Sequence, residues 1–539
     1  MRFTASIANS IWTLSNLPAF RRFERALHHP DEVQTRLLLK SLARNKGCDY
    51  GRQYDFAGIR TYEEFARRVP LVTYDDIEPW ISRIANGKRD ILCSEPVTRL
   101  VPTSGSSGAS KLIPFTAGLQ REFNAAIAPW VCDLYRAQPS LAYGPAYWAI
   151  TPVSQTKPPD SVVPVGFDDD AGYLGGVKKY LVDKVMAVPP QVRLLGDMQV
   201  FRYVTLLCLL RERHLRFISV WHPSFLTLLL DALPGEFDDL IQDIRTGRCK
   251  YADRIPSVAI GAFNFRPLPK RAEELRRVGA TALSLLWPSL KAISCWGEGP
   301  AATALTDMQR RFPGVDIQPK GLLATEGVVT IPFARLYPAA VCSHFFEFIG
   351  EDDQVRPACD LRENNTYEVV LTTAGGLWRY RLGDFVRVTG FAGRTPALKF
   401  LGRGSSVSSF FGEKLSEIFV SGVLQKASEI TGLKPVFAML APDDGAAGLG
   451  YTLYVEDHPP EDLGALLDRM LRENPHYAWC RDLGQLQPAR IFSITGHAYA
   501  IYSSHLAQKG ARMGEIKPAL LSTEKGWSKI FPGSYSGIN

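Results

Sequence analysis

The chain has 539 residues, 46% hydrophobic and 22% charged, with a formal net charge of +7. Such a composition builds a sizeable core in about two to four units, and the mild charge, with no Lys/Arg stripe interleaved with aromatics, excludes a dedicated nucleic-acid binder. Nine cysteines are scattered without a CxxC pair, which excludes a disulfide framework and a structural zinc site.

In chain order, the first twenty residues are broken by polar side chains and followed by Arg21, Arg22 and Arg25, so no secretory signal is expected. The longest apolar runs, at 204–210 and 225–230, are too short to cross a bilayer. A cytoplasmic, reducing setting with no membrane partner is the expectation. Residues 1 to about 95 read as helical, with apolar spacing around Leu37, Leu38, Leu39 and Leu42. Residues 96–118 give a strand, a Gly/Ser loop and a second apolar segment; 119–136 read as a helix. Over 140–400, β-rich runs at 147–151, 216–220, 292–296 and 368–373 alternate with helical runs at 196–212 and 272–284. That alternation predicts an α/β domain with mixed sheets and helices.

The Gly/Ser-rich stretch 402–409 breaks the composition and is expected to be a hinge. Beyond it, 415–432, 436–440, 449–456 and 460–474 read as helix, strand, strand and helix. The expected organisation is a large N-terminal domain over 1–401 and a small, mobile α+β C-terminal domain over 410–539.

Three segments carry chemistry. In Thr103-Ser-Gly-Ser-Ser-Gly-Ala-Ser-Lys111, two glycines let backbone N–H groups converge on an anion, hydroxyls add donors and Lys111 adds charge. It is not a Walker A loop, and taken alone such a run is as often a surface linker. It ends in Lys111 and an apolar run, which places it inside a fold. In Gly321-Leu-Leu-Ala-Thr325-Glu326-Gly327, a hydroxyl and a carboxylate stand side by side. The pair suits a phosphate oxygen and Mg2+, which takes one or two carboxylates plus substrate phosphates; the plainer reading is a helix N-cap. In Trp378-Arg-Tyr-Arg-Leu-Gly-Asp384, alternation predicts a strand ending at Gly383 with Asp384 at its exit, where a carboxylate can take both ribose hydroxyls. A simple turn Asp is the plainer reading there.

Taken together, and in this order, the segments resemble the signatures of acyl-adenylate-forming enzymes. More narrowly, Phe345-Phe-Glu-Phe348, Leu371-Thr-Thr373, Tyr380-Arg-Leu-Gly-Asp384, Val386-Arg-Val-Thr-Gly-Phe391 and the C-terminal Gly510, Gly514, Lys517 and Pro518 resemble the Gretchen Hagen family of acyl-acid amido synthetases, known from plants with bacterial relatives. The resemblance runs from about residue 30 to 532. It implies that Ser104, Gly105, Ser106, Ser107 and Lys111 hold the ATP triphosphate, that Thr325 contacts the α-phosphate, and that Glu326 binds Mg2+. It implies Asp384 on the ribose with Arg403 nearby, adenine at the turn Trp296-Gly297-Glu-Gly-Pro300, and Lys517 bridging the acyl carboxylate and the α-phosphate. Two departures stand out: Gly404, Ser405 and Ser406 occupy positions where the superfamily often has an acidic residue or Lys, and Glu515-Ile-Lys517-Pro replaces a common Gln-Tyr-Lys.

The implied reaction joins a carboxylic acid to AMP and transfers the acyl group to an amine such as an amino acid. Anion approaches anion in the first step, so a cation and a lysine aimed at the developing charge lower the barrier. The anhydride needs shielding from water, a role suited to the C-terminal domain as a lid. Tyr135, Trp148, Tyr173 and Trp221 are candidates for the acyl pocket, and no histidine spacing names a base for the amine. His222 reads as a structural residue before a turn. Three alternatives remain: a thiol or hydroxyl acceptor, such as CoA or a carrier protein; a dinucleotide-binding oxidoreductase suggested by the GxGxxA pattern from Gly297 to Ala302; and a non-enzymatic ATP-binding regulatory protein.

Overall fold

The apolar spacing of the N-terminal segment folds as five helices in the computed structural model: α1 (Arg2–Ala26), α2 (Pro30–Asn45), α3 (Asp49–Gln53), α4 (Tyr62–Arg68) and α5 (Tyr74–Ala85). The structure describes residues 2–103, 111–149, 161–166, 185–298, 301–404, 407–445, 448–509, 516 and 518–536. A capping box at Thr73, whose N–H donates to Asp76 Oδ2 at 2.7 Å, fixes the first turn of α5 and so the place of Tyr74.

Strands β1 (Val97–Thr103) and β2 (Lys111–Thr116) pair antiparallel on either side of the Gly/Ser loop. Thr116 caps α6 (Ala117–Ala137) by accepting from Leu119 N–H. A parallel sheet follows in the order β3 (Ala146–Trp148), β4 (Phe217–Ser219), β5 (Ala292–Trp296) and β6 (Asp316–Lys320). Its crossovers carry α7 (Met198–Arg211), α8 (Pro223–Asp231), α9 (Leu233–Thr246), α10 (Pro269–Val278) and α11 (Ala301–Arg311). One face packs on α1 and α6 and the other on the crossover helices, so both faces are apolar, as parallel sheets require. The helix expected over 272–284 ends at Val278, because Gly279 turns the chain with φ +80, and a separate turn at Leu283–Leu286 follows.

A second, antiparallel sheet runs β11 (Thr395–Arg403), β10 (Tyr380–Ala392), β9 (Thr366–Thr372), β7 (Phe345–Gly350) and β8 (Val355–Pro357). After β12 (Val407–Ser408) and β13 (Leu415–Ser416), the chain builds a separate core. There α12 (Glu417–Thr431), α13 (Leu463–Leu471), α14 (Pro475–Asp482) and α15 (Ala498–Gln508) accompany a sheet of β14 (Ala438–Gly445), β15 (Gly448–Val455), β16 (Gln487–Ile494) and β17 (Gly533–Tyr535). The α/β body with a smaller α+β unit is thus as expected. The strand expected at 436–440 starts at Ala438 and runs on to Gly445, and β16 has no counterpart in the sequence reading. Past residue 517 the chain returns to the edge of β14, where Leu440 N–H donates to Leu520 C=O at 2.8 Å and Ser522 N–H to Leu440 C=O at 2.8 Å.

Candidate active site

Glu326 sits at the tip of a two-residue turn. Leu323 and Val328 bridge antiparallel, Ala324 N–H donates to Gly327 C=O at 2.9 Å, and Gly327 N–H returns to Ala324 C=O at 3.3 Å. Thr325 and Glu326 therefore belong to a tight turn just beyond β6, and the helix N-cap reading is overturned. The Glu326 side chain is buried.

Asp384 is not at a strand exit. β10 runs on through it to Ala392, and the register between β10 and β9 slips between Arg381 and Phe385, with Gly383 at φ +76. The slip is a bulge that re-aims the side chain within a continuous strand. Asp384 pairs across the sheet with Arg403 of β11, and Arg403 Nε donates to Asp384 Oδ1 at 3.0 Å. Asp384 is 1% exposed.

Lys111 opens β2, and its ammonium lies 5.5 Å from the centre of the Tyr74 ring. Tyr74 is itself placed by Leu112 N–H, which donates to its hydroxyl at 2.9 Å. The charges feel one another. Burial pushes the Glu326 carboxyl up, and Asp384 adds to that, while Arg403 and Lys111 oppose it. Asp384 in turn holds the Arg403 guanidinium firmly charged. Burial and Glu326 raise the Tyr380 phenol, which places Tyr380 in the same cluster. Lys111, Tyr380, Asp384 and Arg403 thus lie within electrostatic reach of Glu326, which gathers both signs of charge around two buried carboxylates.

The C-terminal domain reaches this spot through Glu417, in the first turn of α12. Burial raises its carboxyl, which accepts from Leu520 N–H at 3.0 Å and faces Arg403. Gly404 follows Arg403 without a side chain because a Cβ there would lie 2.2 Å from Phe385 Cε2. Ser104, Gly105, Ser106, Ser107, Ser405, Ser406, Tyr173, Gly510, Gly514, Glu515 and Lys517 lie outside the described residues.

Of the aromatic candidates, Tyr135 is core: it is 4% exposed and its hydroxyl donates to Asn9 Oδ1 at 3.2 Å. Trp148 and Trp221 lie at the carboxyl ends of the parallel strands, where open α/β sheets place their ligands. Beside Trp221 stands a residue that the sequence reading missed. Lys320, at the end of β6, donates to Ser219 Oγ at 2.9 Å and lies 4.7 Å from the Trp221 ring centre and 5.8 Å from that of Trp130. His222 caps α8 and stacks on Tyr499. Gly297 answers packing, since a Cβ there would lie 2.6 Å from Leu305 Cδ1 and 2.8 Å from Pro319 Cβ. Nearby Glu298 accepts from Phe400 N–H at 3.1 Å, and burial raises its carboxyl to about 7. Glu417, Tyr74 and Tyr499 also escaped the sequence reading, because no local spacing marks a residue whose partner lies tens to hundreds of positions away.

A large α/β body, a small α+β unit on its C-terminal side and a carboxylate–arginine–lysine cluster at the junction define an acyl-adenylate-forming ligase. Residues 19–317 match the GH3 family N-terminal domain, 337–403 the GH3 family central domain and 419–526 the GH3 family C-terminal domain; the chain belongs to the GH3 family. It is similar to indole-3-acetic acid-amido synthetase GH3.2 of Arabidopsis thaliana, 27% identical over 82% of this chain and 84% of that protein. It is 29% identical to indole-3-acetic acid-amido synthetase GH3.15 of the same plant over 72% of this chain and 70% of that protein. Its fold matches the solved structure of AtGH3.15 acyl acid amido synthetase in complex with 2,4-DB with a TM-score of 0.84, at 23% identity over 98% of both chains. The protein is an ATP-dependent ligase that adenylates a carboxylic acid and passes the acyl group to an amine. The dinucleotide-binding reading and the thiol or hydroxyl acceptor give way to this assignment. No helix among the described residues is long and apolar enough to cross a membrane.

Proposed function

We propose that the triphosphate of ATP lies between Lys111 and Glu326, with its ribose at Asp384, and that the product is an amide between an aromatic carboxylic acid and an amino acid. The convergence of Lys111, Glu326, Asp384 and Arg403 on one buried spot carries this reading. Ser104, Gly105, Ser106 and Ser107 complete the phosphate cradle, and Thr325 takes the α-phosphate. Gly297 lets the backbone approach adenine. The donor set fits Mg2+. Among the described residues no group of three or more His, Cys, Asp or Glu gathers to cage a metal, and Asp384 is engaged by Arg403. Glu417 likewise accepts from Leu520 N–H, which leaves Glu326 as the carboxylate offered to Mg2+, an ion commonly held by one or two carboxylates plus substrate phosphates. Held by Glu326, Mg2+ would supply positive charge against the triphosphate. Lys517 supplies the second cation, at the α-phosphate and the acyl carboxylate.

Residues 402–409 act as the hinge between a domain over 1–401 and a lid over 410–539. The indoles of Trp130 and Trp221 beside Lys320, with Trp148 against Trp130, support an aromatic acid. The free thiols of all nine cysteines suit a reducing, cytoplasmic compartment. The test is carboxylate-dependent ATP–pyrophosphate exchange over a panel of aromatic and aliphatic acids, followed by mass spectrometry of products with amino acids and with CoA. Exchange with aromatic acids and amide products are expected; exchange with no acid, or thioester alone, overturns the proposal.

A further inference from the structure

A two-residue turn does not aim its own side chains. What stands behind the Glu326 turn is His344, a fully buried residue just before β7. Val328 N–H, the first backbone donor after the turn, donates to His344 Nε2 at 3.0 Å. That nitrogen is therefore the acceptor, so the ring proton sits on Nδ1 and is donated to Glu122 Oε2 at 2.9 Å. The same Glu122 oxygen accepts from Ala374 N–H at 2.9 Å. The imidazole face also packs against Gly327, where a Cβ would lie 2.9 Å from Nε2 and 3.1 Å from Cδ2. The ring itself is fixed: Phe123 and Phe346 meet it edge-on at 6.0 and 6.1 Å, and Gln34 Nε2 donates to the His344 carbonyl at 2.7 Å.

The connectivity of this pair is its significance. Glu122 lies on α6, the helix that continues directly from the Lys111 strand. Ala374 lies in the turn between β9 and β10, and β10 carries Asp384. His344 holds the turn that carries Glu326. One imidazole–carboxylate pair thus ties together the three segments whose polar groups converge at the site. We propose that His344 and Glu122 are positioning residues that set Glu326 relative to Lys111 and Asp384, and so tune how the site takes Mg2+–ATP. This rests on the reading of Glu326 as the Mg2+–ATP carboxylate. Neither residue is assigned contact with the reacting atoms. Outer partners of this kind commonly change metal affinity or activity by about tenfold to a hundredfold when removed.

The test compares His344→Phe, which keeps a ring between Phe123 and Phe346 but removes both nitrogens, with Glu122→Gln, Glu326→Gln and the double variant of His344→Phe with Glu326→Gln. The readouts are the Mg2+ concentration that half-saturates ATP binding by calorimetry, the exchange rate, and the melting temperature. His344→Phe should raise the half-saturating Mg2+ concentration about tenfold. Glu122→Gln, which retains an oxygen acceptor, should stay within about threefold of wild type. In the Glu326→Gln background, His344→Phe should add no more than about twofold, because the side chain it positions is already disabled. A folded His344→Phe with wild-type Mg2+ dependence overturns the proposal, as does full multiplication of the two single effects. If Glu326→Gln alone changes neither ATP binding nor exchange, the reading of Glu326 itself falls, an outcome distinct from failure of the positioning role. Should His344→Phe not fold, Glu122→Leu, which leaves the imidazole but removes its acceptor, is held to the same criteria.

Discussion

The ring of Tyr499 lies nearly parallel to that of His222, with centroids 5.6 Å apart and planes at 14°, so an aromatic pair joins the small domain to the large one. The Tyr499 hydroxyl also donates to the carbonyl of Ile516 at 2.6 Å, one residue before Lys517. On the far side, Tyr502 Oη accepts from Ala519 N–H at 3.3 Å and Glu417 from Leu520 N–H at 3.0 Å. Ile516 is thus held by Tyr499, and Ala519 and Leu520 by Tyr502 and Glu417.

Tyr499→Phe keeps the stack and loses the hydroxyl that bonds Ile516 and also meets Ser224 and Ser503. If Lys517 acts on the α-phosphate, the exchange rate should fall about fivefold to tenfold, the value of one hydrogen bond, with little change in KM for ATP. Steady-state exchange kinetics at several ATP concentrations check this. Full activity in Tyr499→Phe would remove the hydroxyl from any role in placing the lysine.

Asp384→Asn keeps the size of the side chain and removes its charge from a buried pair with Arg403. A ribose bound through a carboxylate should lose about 1.5–3 kcal/mol, a roughly tenfold to hundredfold rise in the Kd for ATP. Calorimetry with ATP measures it, and adenine alone should be bound as by wild type. An equal loss for adenine would place the nucleotide elsewhere.

Glu298 makes stability depend on pH in an unusual direction. Its carboxyl is raised from 4.5 to about 7 by burial, so the fold favours the neutral form. The folded state binds this proton more tightly than the unfolded chain does. The group's contribution is therefore greatest below pH 4.5 and declines as pH rises through about 7. Glu298→Gln keeps an acceptor for Phe400 N–H and never ionises. Relative to wild type it should gain about 3 kcal/mol between pH 4.5 and pH 8, as an order of magnitude. Urea denaturation at both pH values tests this; a difference independent of pH contradicts the shift.

Glu347 and Arg379 form the central ion pair of the large domain. Their side chains are 1% and 5% exposed, Arg379 Nε and Nη2 both donate to Glu347, and Arg379 Nη1 donates to the carbonyls of Ala66 and Val69. Tyr62 Oη adds a further bond to Glu347 at 3.1 Å. Glu347→Leu leaves the guanidinium buried without its counter-charge and should cost about 3–5 kcal/mol. Chemical denaturation gives the number, and a loss below about 1 kcal/mol would show that the pair is replaceable by packing.

The motifs were legible because each obeys a local rule. Glycine and serine clustering marked the Thr103–Lys111 stretch, and a hydroxyl beside a carboxylate marked Thr325-Glu326. Strand alternation marked the segment leading to Asp384. The same local rules misread how two of them are displayed. Thr325-Glu326 reads as a helix cap on sequence alone, but the bridge between Leu323 and Val328 makes it a turn. Asp384 reads as a strand exit, but pairing with β11 carries β10 on past a bulge. In both cases cross-strand hydrogen bonds outweighed the local preference.

The sequence by itself determined the α/β body with its α+β companion and marked out the three segments proposed for phosphate, Mg2+ and ribose, because periodicity and side-chain chemistry are properties of neighbours along the chain. Only the tertiary structure decided which side chains support them. Tyr74 under Lys111, His344 and Glu122 behind Glu326, Arg403 on Asp384, and Tyr499 on His222 all meet across long separations. Burial then fixes their charges and protons, and neither burial nor distance is written in the spacing of residues.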